Sequence, residues 1–143
     1  MALLNLGSAY YTQNKLPEAL EATEEGLSIC RKALGKDHTQ IAAGMTLIGQ
    51  VLGKQDKFQD AHQAFQEAMH MYKKSRGAKH PAVATFLCNM AGSLTMQGRD
   101  QEGLEALEEA LPIMKRAHGD EHPDVSKIVD NIERARRRRL GLL

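Results

Sequence analysis

Three histidines recur at equal spacing along the 143-residue chain, and imidazole is a common metal ligand. His38, His80 and His122 are separated by 42 residues each. Zinc ligands lie about 2 Å from the ion, whereas packed helices lie about 8 to 10 Å apart, so equivalent positions of successive helical units cannot converge on one ion. We predict a structural role for these histidines, at the loop ends that precede helices.

A further histidine pair, His118 and His122, has the spacing of two ligands on one helical turn. Gly119 lies between them and is expected to end the helix, so the pair does not predict a metal site. The sequence has no glycine-rich phosphate loop, no nucleophile elbow and no His-Glu-x-x-His motif. We therefore expect no enzymatic activity, no cofactor and no bound metal.

An arginine run near the C-terminus comprises Arg134 and Arg136 through Arg139. The formal net charge is +1, so without these five residues the chain would carry −4, and charge is segregated by position. The run is consistent with a solvated helix end, with a contact to an acidic protein, or with nucleic-acid binding or nuclear import. The last 50 residues contain no Phe, Tyr or Trp on which bases could stack, which disfavours nucleic acid.

The two cysteines, Cys30 and Cys88, have hydrophobic neighbours at helical spacing, which indicates buried thiols and a reducing compartment. No basic leader is present, and no stretch approaches the roughly 20 apolar residues that span a membrane. We expect a cytoplasmic protein that is not inserted in a membrane.

The elements that carry these residues follow an internal repeat, because three segments align at a shift of 42 residues without a gap. A shared closing signature has glycine three residues before each histidine, at Gly35, Gly77 and Gly119. Further aligned positions alternate between small and large apolar side chains: Ala19, Ala61 and Gly103; Thr23, Phe65 and Leu107; Gly26, Ala68 and Ala110; Leu27, Met69 and Leu111.

Each repeat is predicted to be a helical hairpin. In the second unit Ala61, Phe65, Ala68, Met69 and Tyr72 fall on one helical face. Chain breakers divide each unit into two helices, and the glycines of the closing signature suit the left-handed residue that ends a helix. The breakers are Asn14, Asp56 and Gly98.

The pattern resembles tetratricopeptide repeats, and the 42-residue length with Leu-Gly-Lys-Asp-His is similar to the kinesin light chain type. Tyr10 after Leu6 and Gly7 fits the family's Leu-Gly-x-x-Tyr core. The resemblance implies an all-α tetratricopeptide-type α-solenoid of three helical hairpins plus a C-terminal capping helix. Its expected divisions are units 1–38, 39–80 and 81–122, a closing helix 123–139 within one repeat domain 1–140, and a short tail 140–143.

The resemblance also implies a concave groove lined by the first helix of each unit, where a partner peptide or helix binds. The expected lining is Leu4, Asn5, Ser8, Tyr11, Thr12, Thr46, Leu47, Gln50, Lys54, Cys88, Asn89, Thr95, Met96, Asn131, Arg134 and Arg138. Asn5 and Asn89 match the second Asn of the family's Leu-Asn-Asn-Leu motif, whereas Leu47 departs from it. The family's clamp for chaperone C-terminal carboxylates would require a basic residue near Leu4 and Thr85 and another at Asn89. None of these residues is basic, so chaperone docking is disfavoured.

The two ends of the stack are predicted to differ in structure. Val125, Ile128, Val129 and Ile132 form an apolar stripe that should cap the last hairpin. Pro112 lies inside the last paired helix and should produce a local kink. At the other end the opening helix is about one turn short, so apolar surface should be exposed at the N-terminal edge and allow self-association.

Continuing the register into the closing helix places Asn131, Arg134 and Arg138 on the groove-facing rows, so we expect acidic ligand residues near the C-terminal end. The sequence thus predicts a non-catalytic protein–protein interaction scaffold. The alternatives are an accessory module that binds nucleic acid or anionic surfaces through the arginine run, and a structural fragment of a longer solenoid.

Overall fold

The computed structural model describes residues 2–35 and 39–142, and this part of the chain is all-α. Its seven helices are α1 (Ala2–Thr12), α2 (Leu16–Leu34), α3 (Thr39–Lys54), α4 (Phe58–Arg76), α5 (Pro81–Met96), α6 (Asp100–His118) and α7 (Pro123–Arg139). They form three hairpins followed by a closing helix, which is the predicted fold class.

The turn inside each hairpin has the same geometry in all three units. Asn14, Asp56 and Gly98 adopt left-handed backbone conformations, with φ of 60°, 62° and 75°. In each unit the backbone N–H of the following residue donates to a carbonyl five residues earlier at 2.9 Å, which satisfies an orphan carbonyl at the helix end. The predicted chain breakers therefore stop the first helix and start the second.

The loops between units begin at Gly35, Gly77 and Gly119, whose φ values are 85°, 94° and 85°. After the loops that begin at Gly77 and Gly119, the next helix starts with a histidine N-cap. Nδ1 of His80 accepts the backbone N–H of Ala82, and Nδ1 of His122 accepts that of Asp124, both at 3.1 Å. These bonds satisfy N–H groups that the helix leaves unpaired. This is the structural role predicted for the histidines; His38 lies outside the described residues.

Consecutive helices pack against each other along the chain, and α1 also contacts α3. The hydrophobic core consists of clusters, and each cluster is formed by helices of neighbouring units. One cluster joins α2, α3, α4 and α5 around Ile41 and Phe86, and another joins α5, α6 and α7 around Leu104. Each hairpin thus completes its core only by stacking on the next, as expected of a repeat protein.

The closing helix α7 covers the last hairpin with Val125, Ile128 and Ile132, which are buried. This confirms the capping role predicted for these three residues. Val129 was predicted in the same stripe but is 42% exposed, because it lies on the flank of α7 on which none of the described helices packs.

Helix α6 continues through Pro112 to His118, although proline has no N–H to donate to the Glu108 carbonyl. The predicted kink at Pro112 stays a prediction. None of the helices within residues 2–35 and 39–142 combines the length and the apolar character needed to cross a membrane.

Candidate functional site

A recess opens between α3, α5 and α7, which are the first helices of the later units and the closing helix. Its volume is about 510 Å³. The lining residues are Gly49, Gln50, Gly53, Lys54, Phe58, Phe65, Cys88, Asn89, Ala91, Gly92, Ser93, Thr95, Met96, Leu107, Asn131, Arg134 and Arg138. We call this cavity the recess. Its volume is within the range of natural ligand sites, about 300–1,000 Å³.

Apolar side chains from the second helices line the recess behind the first helices. Phe58 and Phe65 come from α4 and Leu107 from α6, and the last two are almost fully buried. The space exists because two helix positions carry no side chain. A Cβ added at Gly53 or at Gly92 would meet no atom of the described residues within 4 Å, apart from its chain neighbours and the backbone of its own helical turn, so both glycines border open volume.

Amide side chains from successive units also line the recess. Gln50 lies on α3, Asn89 on α5 and Asn131 on α7. Asn131 accepts a hydrogen bond from Arg134 at 3.5 Å, while the Gln50 and Asn89 amides make no hydrogen bond to any other side chain or backbone group in the described part of the chain. An amide offers both donor and acceptor atoms, so these two can bond a peptide backbone.

Three cationic side chains border the recess. The Lys54 ammonium lies over the Tyr11 ring, 4.1 Å from its centroid, which holds it between the first and second units. Arg138 Nε lies 3.7 Å from Asp100 Oδ1. Arg134 has no acidic partner among the described residues. The local charge is therefore positive despite the near-neutral chain.

The structure brings nine of the sixteen predicted groove residues to the recess: Gln50, Lys54, Cys88, Asn89, Thr95, Met96, Asn131, Arg134 and Arg138. The residues predicted on α1 do not line the recess. Tyr11 lies at its border, because the Tyr11 ring contacts the ammonium of Lys54, which is a lining residue. Asn5, Ser8 and Thr12 are exposed on α1. Thr46 uses its hydroxyl to bond the Ala42 carbonyl at 2.8 Å.

Two predicted groove residues instead pack between helices. Leu47 is 9% exposed, and its Cδ2 lies 3.4 Å from where a Cβ would stand at Gly7. Leu4 is half-buried and packs against the cluster of α2, α3, α4 and α5. Both face neighbouring helices because a large aliphatic side chain next to glycine fills the space at a close helix crossing.

Sequence reasoning missed the residues that lie behind the first helices, namely Phe58, Phe65 and Leu107. They belong to second helices, where an apolar stripe predicts ordinary core. The available signal was the glycine content of the first helices, since Gly53 and Gly92 leave an opening toward that core.

The thiol of Cys88 lies in the recess but is poorly ionised. Burial, with a smaller contribution from the nearby Asp124 carboxylate, raises its pKa to about 11. The thiolate is the nucleophilic form, so at neutral pH this cysteine acts as a small apolar lining group.

The arginine run is largely engaged within the chain. Arg136 lies 3.3 Å from Glu108, Arg137 lies 3.1 Å from Glu133, and Arg138 pairs with Asp100 as described. Glu108 and Asp100 belong to α6, so two of these pairs link the closing helix to the last hairpin. Exposed pairs of this kind contribute about 0–1 kcal/mol each.

The histidines do not form a metal centre in the described residues, where no group of three His, Cys, Asp or Glu side chains is arranged to hold an ion. The rings of His118 and His122 are stacked with their centroids 4.5 Å apart. His122 uses Nδ1 as the N-cap of α7, which occupies one of its two ring nitrogens.

Family models for the tetratricopeptide repeat match two stretches of the chain, residues 1–74 and residues 83–124. The first match alone covers more than half of the sequence. No curated protein sequence matches the chain significantly.

Several solved structures share the fold. BtubC (BKLC) from P. vanneervenii has a TM-score of 0.88 and 18% identity over 98% of this chain. A Podosopora anserina kinesin light chain-type protein with nearly identical TPR-like repeats has a TM-score of 0.84 and 21% identity over 99% of this chain. The N-terminal domain of stress-induced protein-1 (STI-1) from C. elegans has a TM-score of 0.69 and 15% identity, with 92% of each chain covered.

This chain spans 56% of the BtubC structure and 66% of the Podosopora structure. The stacked hairpins, their common turn geometry and the family matches agree with one another. The chain therefore belongs to the tetratricopeptide repeat family.

Proposed function

We propose that the chain is a non-catalytic scaffold whose recess holds an extended segment of a partner protein. Tetratricopeptide repeats serve generally as protein–protein interaction scaffolds. The observation that carries the proposal is the composition of the recess: an apolar interior behind Gly53 and Gly92, with unbonded amides at Gln50 and Asn89 on its wall.

An extended peptide fits this composition better than a folded surface does. A volume of about 510 Å³ accepts one or two side chains, while the amides lie where they can bond the backbone that carries those side chains. Fully burying a large apolar side chain contributes about 1.5–3 kcal/mol, so the interior supplies most of the affinity.

The charge of the recess favours acidic residues in the ligand. Lys54, Arg134 and Arg138 border it, and Asp100 is the one carboxylate paired with them among the described residues. Arginine presents a planar fork that pairs with a carboxylate through two hydrogen bonds. The partner segment should therefore place Asp or Glu near α7 and apolar residues toward α3.

The alternative, in which the arginine run binds nucleic acid or anionic surfaces, is less well supported. Three of the five arginines already pair with carboxylates of the chain. Single-strand binding usually combines positive charge with stacking on aromatic side chains, and the last 50 residues contain no Phe, Tyr or Trp. Cys30 and Cys88 form no disulfide, which suits the cytoplasmic location proposed for such a scaffold.

The proposal can be tested by selecting short peptides from a display library on the immobilised chain. We expect the selected sequences to combine apolar and acidic residues. Gly92→Leu should then weaken their binding by about 10- to 100-fold, because the added side chain fills space that a ligand side chain needs.

Asn5→Ala is the matched control, because Asn5 is exposed on α1 away from the recess. Gly92→Leu should not lower the melting temperature, since glycine is less stable than leucine inside a helix. Selection of basic peptides, or equal binding to wild type and Gly92→Leu, would contradict the proposal.

A further inference from the structure

Met96 is the last residue of α5, where it lines the recess and is 63% exposed. It belongs to none of the hydrophobic clusters of the described residues, so the core does not require an apolar side chain at this position. Gly92 lies one turn before Met96 on the same helical face, and helical side chains lean toward the N-terminal end of their helix. The thioether of Met96 therefore lies beside the open volume that Gly92 leaves.

Met96 is also the most exposed methionine in the described part of the chain. Three others are almost fully buried, Met45, Met90 and Met114, and two are half-buried, Met69 and Met71. An oxidant must reach the sulfur to react with it, so a dissolved peroxide should react first at Met96. Cys88 lines the recess as well, but its reactive form is the thiolate, and its pKa of about 11 keeps the thiol protonated at neutral pH.

Oxidation of Met96 by hydrogen peroxide would make this part of the recess polar. The thioether sulfur attacks one peroxide oxygen, so that an S–O bond forms as the O–O bond breaks. The transferred OH group loses its proton to the departing hydroxide, which leaves a sulfoxide and water. The sulfur is oxidised and the peroxide is reduced, and an apolar side chain becomes a polar one with a hydrogen-bond acceptor.

The repeat register places a cation on either side of Met96. Lys54 on α3 and Arg138 on α7 lie 42 residues before and after it, and all three residues line the recess. Lysine and arginine side chains only donate hydrogen bonds, and a sulfoxide oxygen accepts them. The oxidised residue therefore offers these cations a partner within the chain, in competition with a carboxylate of the ligand.

We propose that Met96 is an oxidation site through which hydrogen peroxide releases the partner segment, a role that rests on the function proposed above. The sulfoxide removes an apolar contact from the recess and adds an acceptor that competes for its cations. Methionine sulfoxide reductases reverse the modification with a dithiol as reductant, so the binding of the partner follows the level of peroxide.

The site of oxidation is measured on the whole chain without any ligand. The chain is treated with a limited amount of hydrogen peroxide at neutral pH, and mass spectrometry of its proteolytic fragments gives the sulfoxide fraction at each methionine. We expect at least about 10-fold more sulfoxide at Met96 than at Met45, Met90 or Met114, because their burial excludes the oxidant. Equal or lower oxidation at Met96 would overturn the inference.

The effect on binding is measured with one peptide selected by display on the untreated chain. Peroxide treatment should weaken its binding by about 5- to 30-fold, and a methionine sulfoxide reductase with a dithiol should restore it. Met96→Leu should bind the peptide equally before and after peroxide, because leucine has no sulfur. Met71→Leu is the matched control and should remain as sensitive to peroxide as wild type, since Met71 does not line the recess.

Binding by the untreated chain is the reference measurement. If the untreated chain binds no selected peptide, the proposed function and its regulation are both overturned. If binding is weakened by Gly92→Leu but is unaffected when Met96 is oxidised, the regulation alone is overturned. A loss of binding that Met96→Leu does not prevent would also overturn it, because another group, such as Cys88, would then be the one that reacts.

Discussion

The ammonium nitrogen of Lys54 lies 4.1 Å from the centroid of the Tyr11 ring, although the two residues belong to the second and first repeats. A cation over an aromatic face is stabilised by the ring's quadrupole. The contact therefore joins two adjacent units at the border of the recess and fixes the position of one of its three cations.

This contact should contribute measurably to stability. We expect Tyr11→Leu and Lys54→Met each to lower the free energy of unfolding by about 0.5–1 kcal/mol, and the double variant to lose little more than either one alone. Chemical denaturation of the four proteins gives the coupling energy. Fully additive losses would show that the two side chains do not interact.

Two glycines on α3 should respond oppositely to the same substitution. A Cβ at Gly49 would stand 2.6 Å from Cε1 of Phe65, so Gly49→Ala must displace the ring and should cost about 1–3 kcal/mol. Gly53 faces open volume one turn later, and Gly53→Ala should instead stabilise the helix by about 0.5–1 kcal/mol. Urea denaturation measures the change in the free energy of unfolding for each variant. Equal effects at both positions would contradict the packing described.

Much of the fold follows from the repeat register, for a physical reason. Helix ends depend on local backbone conformation, so Gly35, Gly77 and Gly119 could be identified from residue type and spacing alone. The left-handed conformations of Asn14 and Asp56 were predictable in the same way. The histidine N-caps at His80 and His122 also depend on near neighbours in the chain.

The candidate site was less accessible from sequence because it depends on contacts between units. Leu47 was assigned to the groove by register, but its orientation is decided by the space above Gly7 on another helix. The pairing of Arg138 with Asp100 joins residues of different helices that no periodic pattern connects. Phe65 was predicted correctly as core, yet its access to the recess depends on nearby glycines.

The closing helix should be required for stability through its buried face. Ile128 is 3% exposed in the cluster of α5, α6 and α7, so Ile128→Asp places a carboxylate in an apolar environment. This substitution should lower the free energy of unfolding by at least about 3 kcal/mol. Val129→Asp, next to it on the exposed flank, should change stability by less than about 0.5 kcal/mol. Thermal melts of both variants measure the difference, and an unchanged melting temperature for Ile128→Asp would refute the capping role.

Cys88 should react slowly with alkylating agents at ordinary pH. Its pKa is raised from 9.0 to about 11, chiefly by burial, so below pH 9 the thiolate fraction is about 100-fold lower than that of an unperturbed cysteine. The rate with iodoacetamide, followed at this site by mass spectrometry, should rise with pH until about 11. A plateau near pH 9 would contradict the raised pKa. A peptide bound in the recess should slow the alkylation of Cys88 further.

The central claim, that the recess and not the arginine run as a whole holds the partner, is tested by two double substitutions of equal charge. Arg134→Gln with Arg138→Gln removes the arginines that border the recess, whereas Arg137→Gln with Arg139→Gln removes two that do not. The measurement is the affinity of one selected acidic peptide at low and high salt. The account predicts a loss of roughly 2- to 30-fold and a weaker salt dependence for the first pair only. Equal losses for both pairs, or none for the first, would contradict it.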